Sequence, residues 1–128
     1  MTRADIPAAV LQFVLRRIDT VTELETLLIM SAEETREWSV EDVAARVYVA
    51  KPSAAAVLHA LQTRRLITGD ATGTRFRFSP AGEEERQTIV QTAIAYRIHL
   101  IPITTLIHKK ASAPVQEFAR AFNFKKDE

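Results

Sequence analysis

The sequence predicts a mostly helical protein carrying one small β-hairpin, and three observations predict it. Apolar residues recur at helical spacing in successive segments from Val10 to Phe122. The only strict alternation of polar and apolar residues is Arg75-Phe76-Arg77-Phe78. That alternation follows Gly69-Asp70-Ala71-Thr72-Gly73, a run of turn-forming residues, so it reads as one strand of a hairpin with phenylalanines inward and arginines in solvent. The 128 residues are one domain's worth, and a 47% hydrophobic, 26% charged composition suits a folded globular chain. There is no cysteine, which removes disulfide and thiolate chemistry.

Taken in order, Asp5 can cap a helix running to about Ile18, with Pro7 in its first turn and Val10, Leu11, Val14, Leu15 and Ile18 on one side. Thr20 to Glu25 contains two overlapping capping boxes and opens a second helix with Val21, Leu24, Leu27 and Leu28 inward. Ser31 to Glu37 is polar and acidic and reads as a loop, its end at Glu37-Trp38 placed to add a short strand to the hairpin. Ser39 then caps a third helix: Asp42 stands three residues on, and Trp38 and Val43 hold the hydrophobic-staple positions. Val40, Val43, Ala44 and Val47 give that short helix one buried face.

Lys51-Pro52-Ser53 starts a fourth helix, since proline is tolerated in a first turn. The intervening turn, Tyr48 to Lys51, has the length a helix-turn-helix uses. Ala54, Val57, Leu58 and Leu61 fix the inner face of the fourth helix; by subtraction Pro52, Ser53, Ala56, His59, Ala60 and Thr63 point outward, with Arg64 at the margin. After the hairpin at about Leu66–Phe78, Ser79 and Pro80 read as the start of a fifth helix running through Tyr96, with Glu83, Glu84 and Glu85 at its positive end. Pro102 predicts a kink or break, followed by Ile103 to Lys110. Ser112-Ala113-Pro114 opens a last helix with Val115, Phe118, Ala119 and Phe122 on one face, and Lys125 to Glu128 is a charged tail.

The run VEDVAARVYVAKPSAAAVLHALQTRRLI, followed by the hairpin and FSPAGEE, resembles the winged helix-turn-helix domain of bacterial transcriptional regulators, in a layout similar to the multiple-antibiotic-resistance-regulator type. The resemblance covers about a third of the chain. Tyr48 and Arg65 stand where that family often has glycine, and the hairpin lacks the Asp-x-Arg-Arg pattern of the resistance-regulator type. It implies a winged core over residues 20–80, supporting or dimerising helices at 1–19 and 81–128, and double-stranded DNA as partner.

Charge agrees in direction. Residues 39–80 carry six basic side chains against three acidic, a net +3, whereas the first 38 carry four against seven, a net −3. Arg46, Lys51 and Arg64 around the helix-turn-helix, and Arg75 and Arg77 on the hairpin, are candidate phosphate contacts; the competing reading makes them an ordinary solvated surface. Ser53, His59 and Thr63 are the outer-face side chains able to hydrogen-bond a base edge, the rest being alanine and proline. A face so poor in Arg, Asn and Gln leaves open a second class of function, a protein-interaction module whose alanine-rich face packs on another protein.

Other classes find no support. His59, His99 and His108 are far apart in sequence, which argues against a shared metal site, and no phosphate loop, nucleophile elbow or carboxylate pair suggests an enzyme or a cofactor. The longest apolar run, Ala93 to Ile107, is broken by Arg97, His99 and Pro102, and the amino terminus lacks a signal peptide's cleavage site, so the expectation is a cytoplasmic protein with no membrane role. The added terminal helices bring more apolar surface than a small winged core covers, which predicts a homodimer.

Overall fold

The helix starts written into the sequence at Thr20 and Ser39 are made as hydrogen bonds in the computed structural model, which describes residues 6–110. The elements are α1 (Ala8–Arg17), α2 (Val21–Ala32), α3 (Val40–Val47), α4 (Lys51–Thr63), β1 (Ile67–Gly69), β2 (Phe76–Phe78), α5 (Glu83–Ile98) and α6 (Leu100–Lys110). The strands pair antiparallel with Ile67 opposite Phe78 and Gly69 opposite Phe76. Helix, turn, helix and hairpin therefore follow one another as a winged helix-turn-helix requires, with added helices on both sides.

Local signals account for the starts of α2 and α3, whereas α1 begins at Ala8 with Pro7 at its N-cap and no side-chain cap bond, and not with Pro7 inside its first turn as expected. The Ser39 hydroxyl accepts from the Asp42 N–H at 3.0 Å while the Asp42 carboxylate accepts from the Ser39 N–H at 3.0 Å, a complete reciprocal cap that also holds the Asp42 carboxyl below its usual range. Thr20 caps α2 by accepting from the Glu23 N–H. Glu23 does not return the bond to Thr20; it reaches one residue further and accepts from the Asp19 N–H at 2.8 Å. One core collects the inner faces: Leu24, Leu27 and Met30 of α2, Leu58 and Leu61 of α4, Phe76 and Phe78 of the hairpin, Val10 and Val14 of α1, and Ile103 and Ile107 of α6. The expected inner face of α4, Ala54, Val57, Leu58 and Leu61, is buried throughout.

Several expectations are corrected. On α1 it is Phe13 that turns inward, while Leu15 stands 44% exposed beside α6. The Ser31–Glu37 loop is shorter, because Ser31 and Ala32 continue α2 and the Ser31 hydroxyl donates to the Leu28 carbonyl. Ser79 caps no helix: its N–H donates to the Leu66 carbonyl, extending the hairpin ladder past Phe78. Helix α5 starts only at Glu83, where the Glu85 carboxylate accepts from the Ala81 N–H. The break ahead of Pro102 falls at His99, where α5 and α6 meet at a bend of 111°. Pro102 then occupies the first turn of α6, where its missing N–H leaves no helical bond unmade. The last helix expected from Ser112 lies outside the described residues.

Tyr48 and Arg65 adopt left-handed backbone conformations, with φ of 59° and 62°. A side chain in that region crowds its own carbonyl, at a cost of roughly 1–2 kcal/mol that glycine avoids. Tyr48 is 91% exposed, so no packing there offsets the strain. Replacing either residue with glycine should raise stability by about 1 kcal/mol, less whatever the freer unfolded chain takes back, and lift Tm by about 3 °C in a thermal unfolding scan.

The hairpin turn is organised by Asp70. Its carboxylate accepts from the Thr74 N–H at 2.9 Å and the Arg75 N–H at 3.2 Å, and the Thr72 and Thr74 hydroxyls donate to its other oxygen. Bonds to the charged form, that from Thr74 foremost, bring its pKa down from 3.8 to about 2. A lowered folded value stabilises the turn fully above pH 3.8, and the contribution is lost as pH falls through about 2. In an NMR titration the Thr74 and Arg75 amide shifts should therefore move with a midpoint near 2. A midpoint at the ordinary carboxylate value would refute this turn geometry.

Candidate nucleic-acid interface

The outward face of α4 begins with Lys51, Pro52 and Ser53 and continues through Ala55, Ala56, His59, Gln62 and Thr63, all exposed. The capped start of α3 and the three-residue turn Tyr48–Ala50 aim it, and the left-handed Tyr48 makes the reversal possible in so few residues. Beside it the hairpin is held by backbone pairing with Trp38, whose N–H donates to the Phe76 carbonyl at 2.7 Å and whose carbonyl accepts from the Phe76 N–H at 2.8 Å. This bridge is the third, single-residue strand expected at Glu37-Trp38. Trp38 is fully buried, with the guanidinium of Arg36 3.8 Å and that of Arg46 5.3 Å from its ring centre.

The structure brings Ser53, His59 and Thr63 onto one exposed helix face and sets Arg75 and Arg77 on the exposed face of the wing. Three of the cations already face carboxylates: Arg46 lies 3.3 Å from Glu33, Lys51 3.9 Å from Glu41 and Arg75 4.0 Å from Glu37. The hydrogen bond from Arg46, aided by Arg36, holds the Glu33 carboxyl below its usual range. Arg77 has no ion-pair partner among the described residues. Exposed pairs of this kind are worth about 0–1 kcal/mol, so a phosphate can compete for each of these cations.

Arg64 is placed elsewhere. Its guanidinium turns from the α4 face to the junction of α1 and α2, donating to Glu23 at 2.5 Å, to Asp19 at 2.7 Å and to the Arg17 carbonyl at 3.1 Å. The Arg17 guanidinium in turn donates to the Arg64 carbonyl at 2.6 Å and to Glu85 at 2.5 Å. With Glu23 buried, Arg64 serves as its counter-ion and as a tie between helix ends.

Gln62 is the outer-face residue that subtraction from the apolar spacing left out, being adjacent to inward Leu61 and lying off the centre of the polar face. It sits where α4 meets the wing: a Cβ built on Gly69 would come within 3.0 Å of Gln62 Nε2 and 3.2 Å of the Phe76 ring, so glycine there lets the amide lie over the strand. Among the described residues no group of three or more His, Asp or Glu side chains could hold a metal ion; His59 is exposed on α4, His99 is buried at the α5–α6 bend and His108 is exposed on α6. No single helix among the described residues is long and apolar enough to cross a membrane.

No family model matches the sequence, and no curated protein matches it. Among solved structures the chain is similar to the adhesin competence repressor of Streptococcus pyogenes, at 16% identity over 92% of this chain and 90% of that one, with a TM-score of 0.48.

Proposed function

We propose that this chain is a DNA-binding transcriptional regulator that works as a homodimer, with the exposed face of α4 entering the major groove and the wing on the flanking backbone. The observation that carries the reading is the arrangement itself: a helix-turn-helix whose second helix presents Ser53, His59, Gln62 and Thr63 outward, beside a hairpin presenting Arg75 and Arg77. The hydroxyl, imidazole and amide groups suit base edges, and Lys51, Arg46, Arg75 and Arg77 suit phosphates. Alanines at 55 and 56 add no hydrogen bonds, so recognition on this reading leans on DNA shape and on the spacing of two half-sites.

A second reading, a winged-helix module that binds another protein, is favoured by the acidic partners of Arg46, Lys51 and Arg75 and by the alanine-rich helix face. Binding to random duplex DNA across a salt series separates the two. A regulator should bind at low salt with affinity falling steeply as salt rises; no binding by the intact protein would put the protein-interaction reading in front. Replacing Arg75 and Arg77 together with alanine should weaken binding on all sequences and reduce the salt slope by about one to two units. An unchanged slope would take the wing off the DNA.

The dimer rests on surface at the α5–α6 bend, where Ile94, Ile98, Leu100 and Ile101 are exposed, Ile98 by 68%. Four large aliphatic side chains exposed within eight residues are more apolar surface than this stretch of a monomer needs to leave in water, Ile94 and Ile98 sharing one cleft. A two-fold pair would bury it and set two α4 helices roughly 34 Å apart, one turn of DNA. Sedimentation equilibrium should give twice the 14.4 kDa chain mass, reverting to one chain in Ile98→Asp. A mass near 14.4 kDa for the unaltered protein at every concentration would refute the dimer.

A further inference from the structure

Three consecutive residues where α1 ends, Arg17, Ile18 and Asp19, hold two other helices at once. The Arg17 carbonyl and one oxygen of the Asp19 carboxylate accept from the Arg64 guanidinium at the end of α4, at 3.1 and 2.7 Å. The Ile18 carbonyl between them accepts from the Lys110 ammonium of α6 at 2.5 Å, and the other Asp19 oxygen lies 3.2 Å from the same ammonium. One carboxylate is thus divided between α4 and α6, one oxygen to each.

Charge and unused backbone groups explain the placement. The last carbonyls of a helix lack helical partners and carry its negative partial charge, so two cations gather at the end of α1. Asp19 stands just ahead of the Thr20 cap, by the positive end of α2, and its own N–H is held by Glu23 at 2.8 Å, which fixes the backbone from which the carboxylate projects. Glu23 also binds Arg64, but to α2 alone. Among the described residues, Asp19 is the acceptor of Arg64 that also faces Lys110.

From this geometry we infer that Asp19 is a positioning residue for α4: it ties the end of the helix that presents Ser53, His59 and Thr63 to α6, so that a displacement of α6 is passed to α4 through residues 17–19. The opposite end of α6 carries Leu100 and Ile101, exposed at the bend, and Leu100 to Lys110 is a single helix of roughly 15 Å. What covers the bend is in this way connected to the exposed face of α4 by one stiff element and one carboxylate. The consequence for DNA rests on the proposed function, since it is there that the two α4 helices of a pair must sit correctly relative to the surface joining them. The link between α6 and α4 does not.

Hydrogen exchange of the full chain, resolved by NMR at Arg64, Arg65 and Leu66, whose N–H groups donate to carbonyls of α4, tests the link without DNA. Lys110→Met removes a charge from α6 and none from α4; it should speed exchange at these amides about threefold or more, and Lys110→Arg should restore it. Asp19→Asn should have the same effect, and the double variant should fall well short of the product of the two single effects, because both remove one link. Arg86→Met, which breaks the pair with Glu34 elsewhere on the molecule, should leave these amides unchanged. No change in Lys110→Met, a full product in the double variant, or an equal response to Arg86→Met each overturns the inference, the last by marking a general loss of stability. On random duplex DNA, Asp19→Asn should weaken binding about threefold to tenfold at an unaltered salt slope. Loss of a carboxylate by itself strengthens attraction to phosphate, so weaker binding reports position and not charge; unchanged or tighter binding overturns the positioning role. If the unaltered protein binds no DNA, the DNA-binding reading falls while the exchange rates still decide the link.

Discussion

The pairing of Trp38 with Phe76 is the contact on which the arrangement of helix-turn-helix and wing depends. A two-stranded hairpin of three-residue strands is too small to hold itself in water, and this one is secured by a third partner from a distant part of the sequence. Trp38 does this at the residue before the cap of α3, so the start of the helix-turn-helix and the placement of the wing are settled by the same residue. Its buried ring, with Arg36 and Arg46 against it, adds apolar burial and a cation–π contribution of about 1 kcal/mol or more. The wing and the start of the helix-turn-helix are therefore joined by backbone hydrogen bonds that lie below the surface that would meet a ligand.

What could be read from the sequence was what short range decides. The Ser39 cap, the inner face of α4 and the alternation of Arg75 to Phe78 are each fixed by residues within two turns or one strand, and each appears in the structure as expected. The two positions singled out because the domains this sequence resembles often carry glycine there, Tyr48 and Arg65, are the two non-glycine residues with positive φ among those described. Chain geometry demanded the conformation and the sequence met it with unfavourable residues.

What could not be read was what distant parts of the chain decide. Ser79 followed by Pro80 has the chemistry of a helix start, but the Leu66 carbonyl takes the Ser79 N–H and keeps the strand going. Arg64 sits at the edge of a basic helix, and only the fold brings Glu23 and Asp19, more than forty residues away, to claim it. Pro102 correctly signalled a break in the last long helical run. Its location at His99 follows from the proline's place in the first turn of the next helix, a solution that avoids the clash instead of bending around it.

The exchange between Arg17 and Arg64 joins two helices by their last turns. Each guanidinium donates to the main-chain carbonyl of the other residue, and such carbonyls at a helix end have no partner of their own. Fraying at either end would strip a hydrogen bond from both and leave the Glu23 carboxylate in the interior without its counter-ion. The C-terminal ends of α1 and α4, 47 residues apart in sequence, are in this way closed by one and the same pair of side chains.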